Sequence, residues 1–255
     1  MTGAPRVVVV MPAYNAARTL AACVGDVPRE CVDEILLVDD ASADDTVAIA
    51  QALGLSVIRH RKNRGYGGNQ KTCYREALAR GADIVVMVHP DHQYDPRVVP
   101  ELIAALRAGE ADAAFGSRIL GGRAREGGMP WWKYLANIGL TRVENFVLGA
   151  RLTEYHSGFR AYSRRYLEAV PFERNSDAFV FDSEIIAQGV LAGLRIAEVP
   201  IATRYFPEAS QISFLPSLRY GVAILAMLAR FRLHTARLVR LAQFDVQRAG
   251  RGGTA

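Results

Sequence analysis

The stretch Ile84-Val-Val-Met-Val-His89-Pro-Asp91-His-Gln93-Tyr-Asp95-Pro96 decides the fold. A continuous Val/Ile run of this kind suits a parallel strand covered on both faces. Asp95-Pro96 then opens a helix. In open α/β sheets ligands bind beyond the carboxyl ends of such strands. His89, Asp91 and Gln93 therefore fall where a ligand belongs, and their alternation lets all three face one way. Asp and Gln offer hard oxygens, and Mn²⁺ accepts a His nitrogen more readily than Mg²⁺ does. A solvated turn after a strand accounts for the same residues equally well.

Working outward, Arg6 to Met11 is a buried strand ended by Pro12-Ala-Tyr14-Asn15, with a helix through about Val24. Glu34 to Val38 is a second strand, with Asp39-Asp40 at its carboxyl end. Ser42 is the expected N-cap of a helix to about Leu53, with Asp44 and Asp45 in its first turn. Ser56 to Arg59 makes a third strand. The loop Asn63-Arg-Gly65-Tyr-Gly67-Gly68-Asn69 leads into a helix that stops at Gly81. Its glycines do not form GxGxxG, so they read as a tight turn and not a dinucleotide site. Strands alternating with helices at this spacing predict an α/β fold with a mainly parallel sheet. A strand-terminal acid such as Asp40 suits ribose hydroxyls or base N–H groups. The competing reading is that Asp40 caps the following helix beside Ser42. Tyr14 is a candidate for stacking on a base or for simple packing.

Half of the 255 residues are apolar, enough for a sizeable core. The net charge of +5 favours acidic partners: phosphates, nucleotides or an anionic membrane surface. Nucleic acid is not among the expected partners. Cys23, Cys31 and Cys73 form no CxxC and read as reduced thiols of a cytoplasmic protein. The N-terminal apolar run is strand-sized, so no signal peptide is expected. No apolar run reaches the length of a spanning helix.

Val-Val-Met-Pro-Ala-Tyr-Asn, Leu-Val-Asp-Asp-Ala-Ser-Ala-Asp-Asp-Thr, Asn-Arg-Gly-Tyr-Gly-Gly-Asn and the Asp91 cluster together resemble family 2 glycosyltransferases of the GT-A fold. Phe115-Gly-Ser-Arg118, Tyr155-His-Ser-Gly158-Phe-Arg160 and Phe181-Asp182-Ser-Glu184 resemble the polyprenyl- and dolichyl-phosphate sugar synthase branch. The likeness covers roughly residues 5 to 205. It implies a GT-A, Rossmann-like mixed sheet flanked by helices. It also implies metal-dependent, inverting transfer of a sugar from a UDP- or GDP-sugar to a polyprenyl phosphate. The donor side would take in Pro12, Tyr14, Asn15, Asp39, Asp40 and Asp91. Asp91, Gln93 and His89 would face a Mg²⁺ or Mn²⁺ ion; His89 stands where these enzymes often keep an acid. Arg118 matches an acceptor-phosphate arginine. Asp182 matches the catalytic aspartate of hydroxyl-transferring relatives, which need a general base. A phosphate acceptor, already ionised, needs less help. The other reading of Asp182 is an N-cap of the helix Ser183 to Leu191.

Between Arg118 and Tyr155, Gly121-Gly-Arg123-Ala-Arg125-Glu-Gly-Gly128 reads as a basic loop that could act as a lid. Trp131 and Trp132, opening a helix to about Leu148, are expected to pack in the core, the alternative being an aromatic face offered to an acceptor. Residues 1–210 form the expected catalytic domain, 211–245 an amphipathic helical arm and 246–255 a disordered tail. From Gln211 to Phe244 there is no acidic residue. Arg219, Arg230, His234, Arg237 and Arg240 fall within one third of a helical wheel, facing Leu, Ile, Val, Met and Phe. Such a helix suits peripheral binding to the inner face of an anionic membrane. The competing reading is a homo-oligomer contact, or a helix docked on the catalytic domain. Rival functions are transfer to a saccharide or small-molecule hydroxyl, a nucleotidyltransferase, and a decayed nucleotide-sugar binding protein. The nucleotidyltransferase lacks its phosphate loop after the first strand.

Overall fold

The computed structural model describes residues 4–122, 129–203 and 214–247, with side chains of the last segment from Ser217. The strands are β1 (Val7–Ala13), β2 (Glu34–Asp39), β3 (Ser56–Arg59), β4 (Ile84–Met87), β5 (Ala113–Ser117), β6 (Arg160–Ser163) and β7 (Ile196–Pro200). They form one seven-stranded sheet in the order β3-β2-β1-β4-β6-β5-β7. All pairings are parallel except those of β6, which runs against both β4 and β5. The chain winds outward from β1 to β3 and then returns to place β4 on the other side of β1. The order thus reverses between β1 and β4, the position where α/β sheets open a ligand crevice.

Helices α1 (Leu20–Gly25), α2 (Thr46–Ala52), α3 (Gly65–Ala79) and α4 (Val99–Arg107) connect the first strands. They are followed by α5 (Trp131–Leu148), α6 (Arg164–Ala169), α7 (Phe181–Ala192) and α8 (Phe214–Thr235). Alternation along β1 sends Val8 and Val10 to one face and Val7, Val9 and Met11 to the other. The first face is covered by α3, α6, α7 and α8, the second by α1 and α4. Four consecutive valines with no exposed surface show why the run is unbroken: both sides of β1 are interior. Ile224, Met227, Leu228 and Phe231 of α8, with Phe244 beyond it, join the same apolar cluster as Val8 and Val85. Among the described residues no helix is long and apolar enough to cross a membrane.

Several expectations are corrected. The second helix begins at Thr46, not after Ser42. Asn15 N donates to Ser42 Oγ at 2.9 Å, and Ala43 N donates to Asn15 Oδ1 at 2.9 Å. The polar run after β2 therefore clasps the loop after β1 and does not prolong a helix. The glycines at 65–68 lie inside the first turn of α3. A Cβ on Gly67 would sit 2.3 Å from the Ser176 carbonyl oxygen, so glycine lets the 175–178 segment lie against this helix end. Both tryptophans leave the core: Trp131 is exposed and Trp132 only partly covered. The physical reason is the inward face of α5, which is mostly polar: Asn137, Thr141 and Glu144 with Leu148.

The arm also differs from its wheel. The helix ends at Thr235, and Arg237 adopts a left-handed φ of 59°, so Arg237 and Arg240 are not on it. Arg230 turns inward to the buried carboxylate of Glu184 at 3.1 Å. Residues 123–128, with Arg123 and Arg125 of the basic loop, lie outside the described residues, as do 204–213 and the tail from 248.

Candidate active site

At the reversal point between β1 and β4 lies a cavity of about 670 Å³. Its floor is the loop after β1 (Pro12, Tyr14, Asn15), the residue after β2 (Asp40) and the loop after β4 (His89, Asp91, Gln93). The far wall carries Arg118, Trp132, Lys133, His156, Asp182 and Tyr220. The structure thus brings together the expected site residues except Asp39, which is fully buried behind this surface.

On the donor side, Tyr14 projects with 57% of its surface exposed, unusual for a tyrosine with only a packing role. Asp40 accepts from Arg64 N at 2.8 Å and Gly65 N at 3.0 Å, and lies 2.7 Å from His60 Nδ1. It caps α3, not the helix that follows it in sequence. Asp39 Oδ2 accepts from Ser42 N at 3.1 Å, while its Oδ1 is buried without a hydrogen-bond partner among the described residues.

Strand β4 ends at Met87, so His89, Asp91 and Gln93 sit on a turn and not on an alternating strand. His92 has φ 57°, and its ring lies 2.9 Å from Asp26 Oδ2, anchoring this turn to the end of α1. Asp91 is partly exposed and accepts from Gln93 N at 3.1 Å. His89 is stacked on Tyr66, the ring centroids 5.6 Å apart and 9° from parallel. A Cβ on Gly158 would fall 2.5 Å from His89 Nε2, so only glycine fits behind this ring. Burial and the Arg160 charge lower the His89 pKa, against the upward pull of Asp91 and Asp182. Among the described residues no three His, Cys, Asp or Glu side chains converge as a closed metal cage. One partly exposed carboxylate with an amide and an imidazole beside it fits a cation that takes its remaining ligands from substrate and water.

Asp182 is the second residue of α7, and its side chain does not cap that helix. Tyr66 donates its hydroxyl to Oδ2 at 2.8 Å, Gln70 donates to Oδ1 at 3.1 Å, and Arg160 Nη1 lies 3.3 Å from Oδ1. Arg160 in turn donates to the Ser157 and Tyr155 carbonyls and faces the Phe115 ring. Because β6 is antiparallel, its first residue, Arg160, sits beside the last of β4, Met87, directly under the cavity. Sequence reasoning missed Tyr66, Gln70 and Arg160 as site residues. A usable signal was there: an arginine inside an apolar strand needs a buried counter-ion.

Arg118 is held by the fully buried Glu154, which accepts from Arg118 N at 2.7 Å and Nε at 2.8 Å, with Nη2 also paired. Asn137 of α5 donates to the same carboxylate at 2.6 Å. Burial pushes the Glu154 carboxyl up, but Arg118 and these hydrogen bonds outweigh it and hold its pKa below the ordinary value. A depressed carboxyl contributes stability above its unfolded value, about 4.3, and loses it as pH falls through the lower folded value. The Tm gap between the native chain and Glu154→Gln is therefore expected to be wide at neutral pH and to close on strong acidification. A gap that stays constant would sink this assignment. Lys133, on the first turns of α5, has its pKa lowered by burial and by the Arg118 charge. Two cations thus share this wall, and an anion between them would relieve their repulsion.

Three comparisons bear on this geometry. Residues 8–170 match the profile of Glycosyl transferase family 2. A polyprenol monophosphomannose synthase of Mycolicibacterium smegmatis is 31% identical over 205 residues, covering 77% of this chain and 76% of that protein. An undecaprenyl-phosphate mannosyltransferase of Micrococcus luteus is 30% identical over 205 residues, covering 77% and 82%. Among solved structures, glucosyl-3-phosphoglycerate synthase from Mycobacterium tuberculosis, in complex with Mn²⁺, UDP-glucose and phosphoglyceric acid, superposes with a TM-score of 0.65. That match is 25% identical and covers 89% of this chain and 80% of that one. The sheet order, the position of the cavity and the matched profile agree: the chain belongs to glycosyl transferase family 2.

Proposed function

We propose that this glycosyltransferase moves a sugar, with inversion, from a UDP- or GDP-sugar to the phosphate of a polyprenyl phosphate. The observation that carries the acceptor class is the state of Asp182. Its carboxylate already receives Tyr66, Gln70 and Arg160, which leaves about one of its roughly four acceptor positions for a substrate proton. A hydroxyl acceptor requires that base; an ionised phosphate does not. Lys133 on the cavity wall supplies positive charge for such a phosphate, beside Arg118, whose own charge is balanced by Glu154. The names of the two mannosyl-transferring relatives support the same acceptor.

In this reading Tyr14 and Asp40 face the base and ribose, and Asp39 supports them from behind by holding the Ser42 N–H. Asp91, with His89 and Gln93 beside it, would hold a Mg²⁺ or Mn²⁺ ion. When bound with the donor, that ion supplies neutralisation of the charge developing on the leaving diphosphate. An acceptor phosphate oxygen attacks the anomeric carbon from the face opposite the diphosphate. The new C–O bond forms as the bond to the diphosphate oxygen breaks, and the nucleoside diphosphate departs with the electron pair. Arg118 and Lys133 orient the attacking phosphate, and Glu154 fixes where Arg118 points.

The test is nucleoside diphosphate release from a panel of UDP- and GDP-sugars, with and without a short-chain polyprenyl phosphate. The native chain is expected to show stimulation by the lipid phosphate. Lys133→Met is expected to raise the acceptor KM about tenfold, the effect of losing roughly 1.4 kcal/mol of charge-assisted binding, with donor KM unchanged. Turnover of a neutral hydroxyl acceptor, with no response to lipid phosphate, would move the chain to the hydroxyl-transferring class.

A further inference from the structure

Two parallel strands end side by side at the donor edge of the cavity. Asp39, the last residue of β2, is in register with Arg59, the last of β3, and His60 N donates to the Asp39 carbonyl at 2.9 Å. The residue after each strand therefore falls beside its neighbour, which sets His60 against Asp40. The imidazole is mostly covered, with 8% of its side chain exposed. Its Nδ1 lies 2.7 Å from Asp40 Oδ1, and its Nε2 lies 3.0 Å from Thr72 Oγ1 of α3. A carboxylate oxygen only accepts, so Nδ1 carries the hydrogen in this contact.

An ionised carboxylate has about four acceptor positions, roughly two on each oxygen. Oδ1 of Asp40 accepts from His60 Nδ1 and from Arg64 N at 2.8 Å, which fills it. Oδ2 accepts from Gly65 N at 3.0 Å, a donor it shares with Asn63 Oδ1. A single position on Oδ2 is left. Asp40 lines the cavity with only 3% of its surface exposed, room for one contact.

Nucleobases differ in what they ask of such a group. Uracil presents one N–H, at N3, between two carbonyls. Guanine presents two neighbouring donors, N1–H and the 2-amino group, which match a carboxylate with both oxygens open. Stacking on Tyr14 is available to either base, since each has a π-face, so the choice falls on the hydrogen bonds at Asp40.

We propose that His60 is a positioning residue that sets the base of the donor: by closing Oδ1 of Asp40 it leaves one acceptor for one base N–H and selects a uracil nucleotide over a guanine nucleotide. The inference rests on the nucleotide-sugar reading above, with the base at Asp40, and narrows that donor to a UDP-sugar. A guanine placed there keeps one donor unpaired in a buried site, which weakens binding on the scale of about tenfold.

The test is calorimetric titration of the full chain with UDP and with GDP, each with Mg²⁺ in excess. The native chain is expected to bind UDP at least about tenfold more tightly, the effect of one unpaired donor. His60→Ala opens Oδ1 and should close most of that gap. His60→Asn returns an N–H close to the place of Nδ1 and should restore it. Thermal unfolding shows that each variant is folded at the titration temperature. The ratio of the two Kd values is the readout, because a merely structural role for His60 would weaken both nucleotides alike. A native chain that binds GDP as tightly as UDP overturns the proposal, and so does a ratio unchanged in His60→Ala. Equal binding of both nucleotides leaves the nucleotide-sugar reading standing, whereas binding of neither by the native chain overturns that reading together with this one.

Discussion

Replacing Asp182 with alanine is expected to lower stability by about 3–5 kcal/mol, the scale for removing one partner of a buried ion pair. Arg160 has almost no exposed surface, and Asp182 is its carboxylate partner at 3.3 Å. The same substitution strips the acceptor from Tyr66 and Gln70, which are held on α3. For a chain of this size each kcal/mol moves Tm by roughly 2–4 °C, so a fall of about 6–20 °C should appear in thermal unfolding. A Tm within a degree or so of native would refute the anchoring role. Asp182→Asn separates anchoring from base catalysis, because an amide keeps the shape and one acceptor oxygen but takes no proton. Assayed well below its Tm, this variant should retain most lipid-phosphate-stimulated release. Complete loss of turnover in a folded Asp182→Asn would instead make Asp182 the base of a hydroxyl-transferring enzyme.

Asp91→Ala should act in the opposite way, on rate and hardly on stability. Asp91 is partly exposed, and the hydrogen bond described for its side chain is from Gln93 N within the same turn. Its removal should leave Tm near native. The loss in kcat/KM is expected at about 10²–10³, the scale for removing one group that stabilises developing charge. Titration with Mg²⁺ and Mn²⁺ provides the decisive readout: native release should saturate with either ion, and the variant should lose that dependence. A variant that keeps both the rate and the metal response would show that Asp91 is not a ligand. His89→Ala is the useful companion, since His89 lines the cavity but also fills the space between Tyr66 and Gly158.

Much of the sheet was legible in the chain. Runs such as Arg6 to Met11 and Ile84 to Val88 name buried strands because a strand covered on both faces has no polar positions to alternate with. The β3 boundaries agree at Ser56–Arg59, and the fifth helix spans Trp131–Leu148 against an expected end at about Leu148. The placement of Pro12, Tyr14, Asn15, Asp40, His89, Asp91, Gln93, Arg118 and Asp182 around one cavity follows from strand-end chemistry and the family likeness. Local signals failed where a residue's partner is distant in sequence. Asp40 stands before a helix and suits its N-cap, yet its carboxylate caps α3 some 25 residues on. Gly67 suits a turn, yet its lack of a side chain accommodates the Ser176 carbonyl.

What the sequence determined by itself is the alternating strand-and-helix order, the family and the carboxyl-edge location of the site. These depend on periodicity and on short motifs, which act within a few residues. The tertiary structure decided which charges are spent on one another: Asp182 on Arg160, Arg118 on Glu154 and Arg230 on Glu184. It also decided that α5 turns its polar side to the cavity wall and its aromatic side outward. A helical wheel gives the two faces of a helix but not their orientation. That orientation is set by what the inward face must satisfy, here a buried carboxylate network contributed by segments far along the chain.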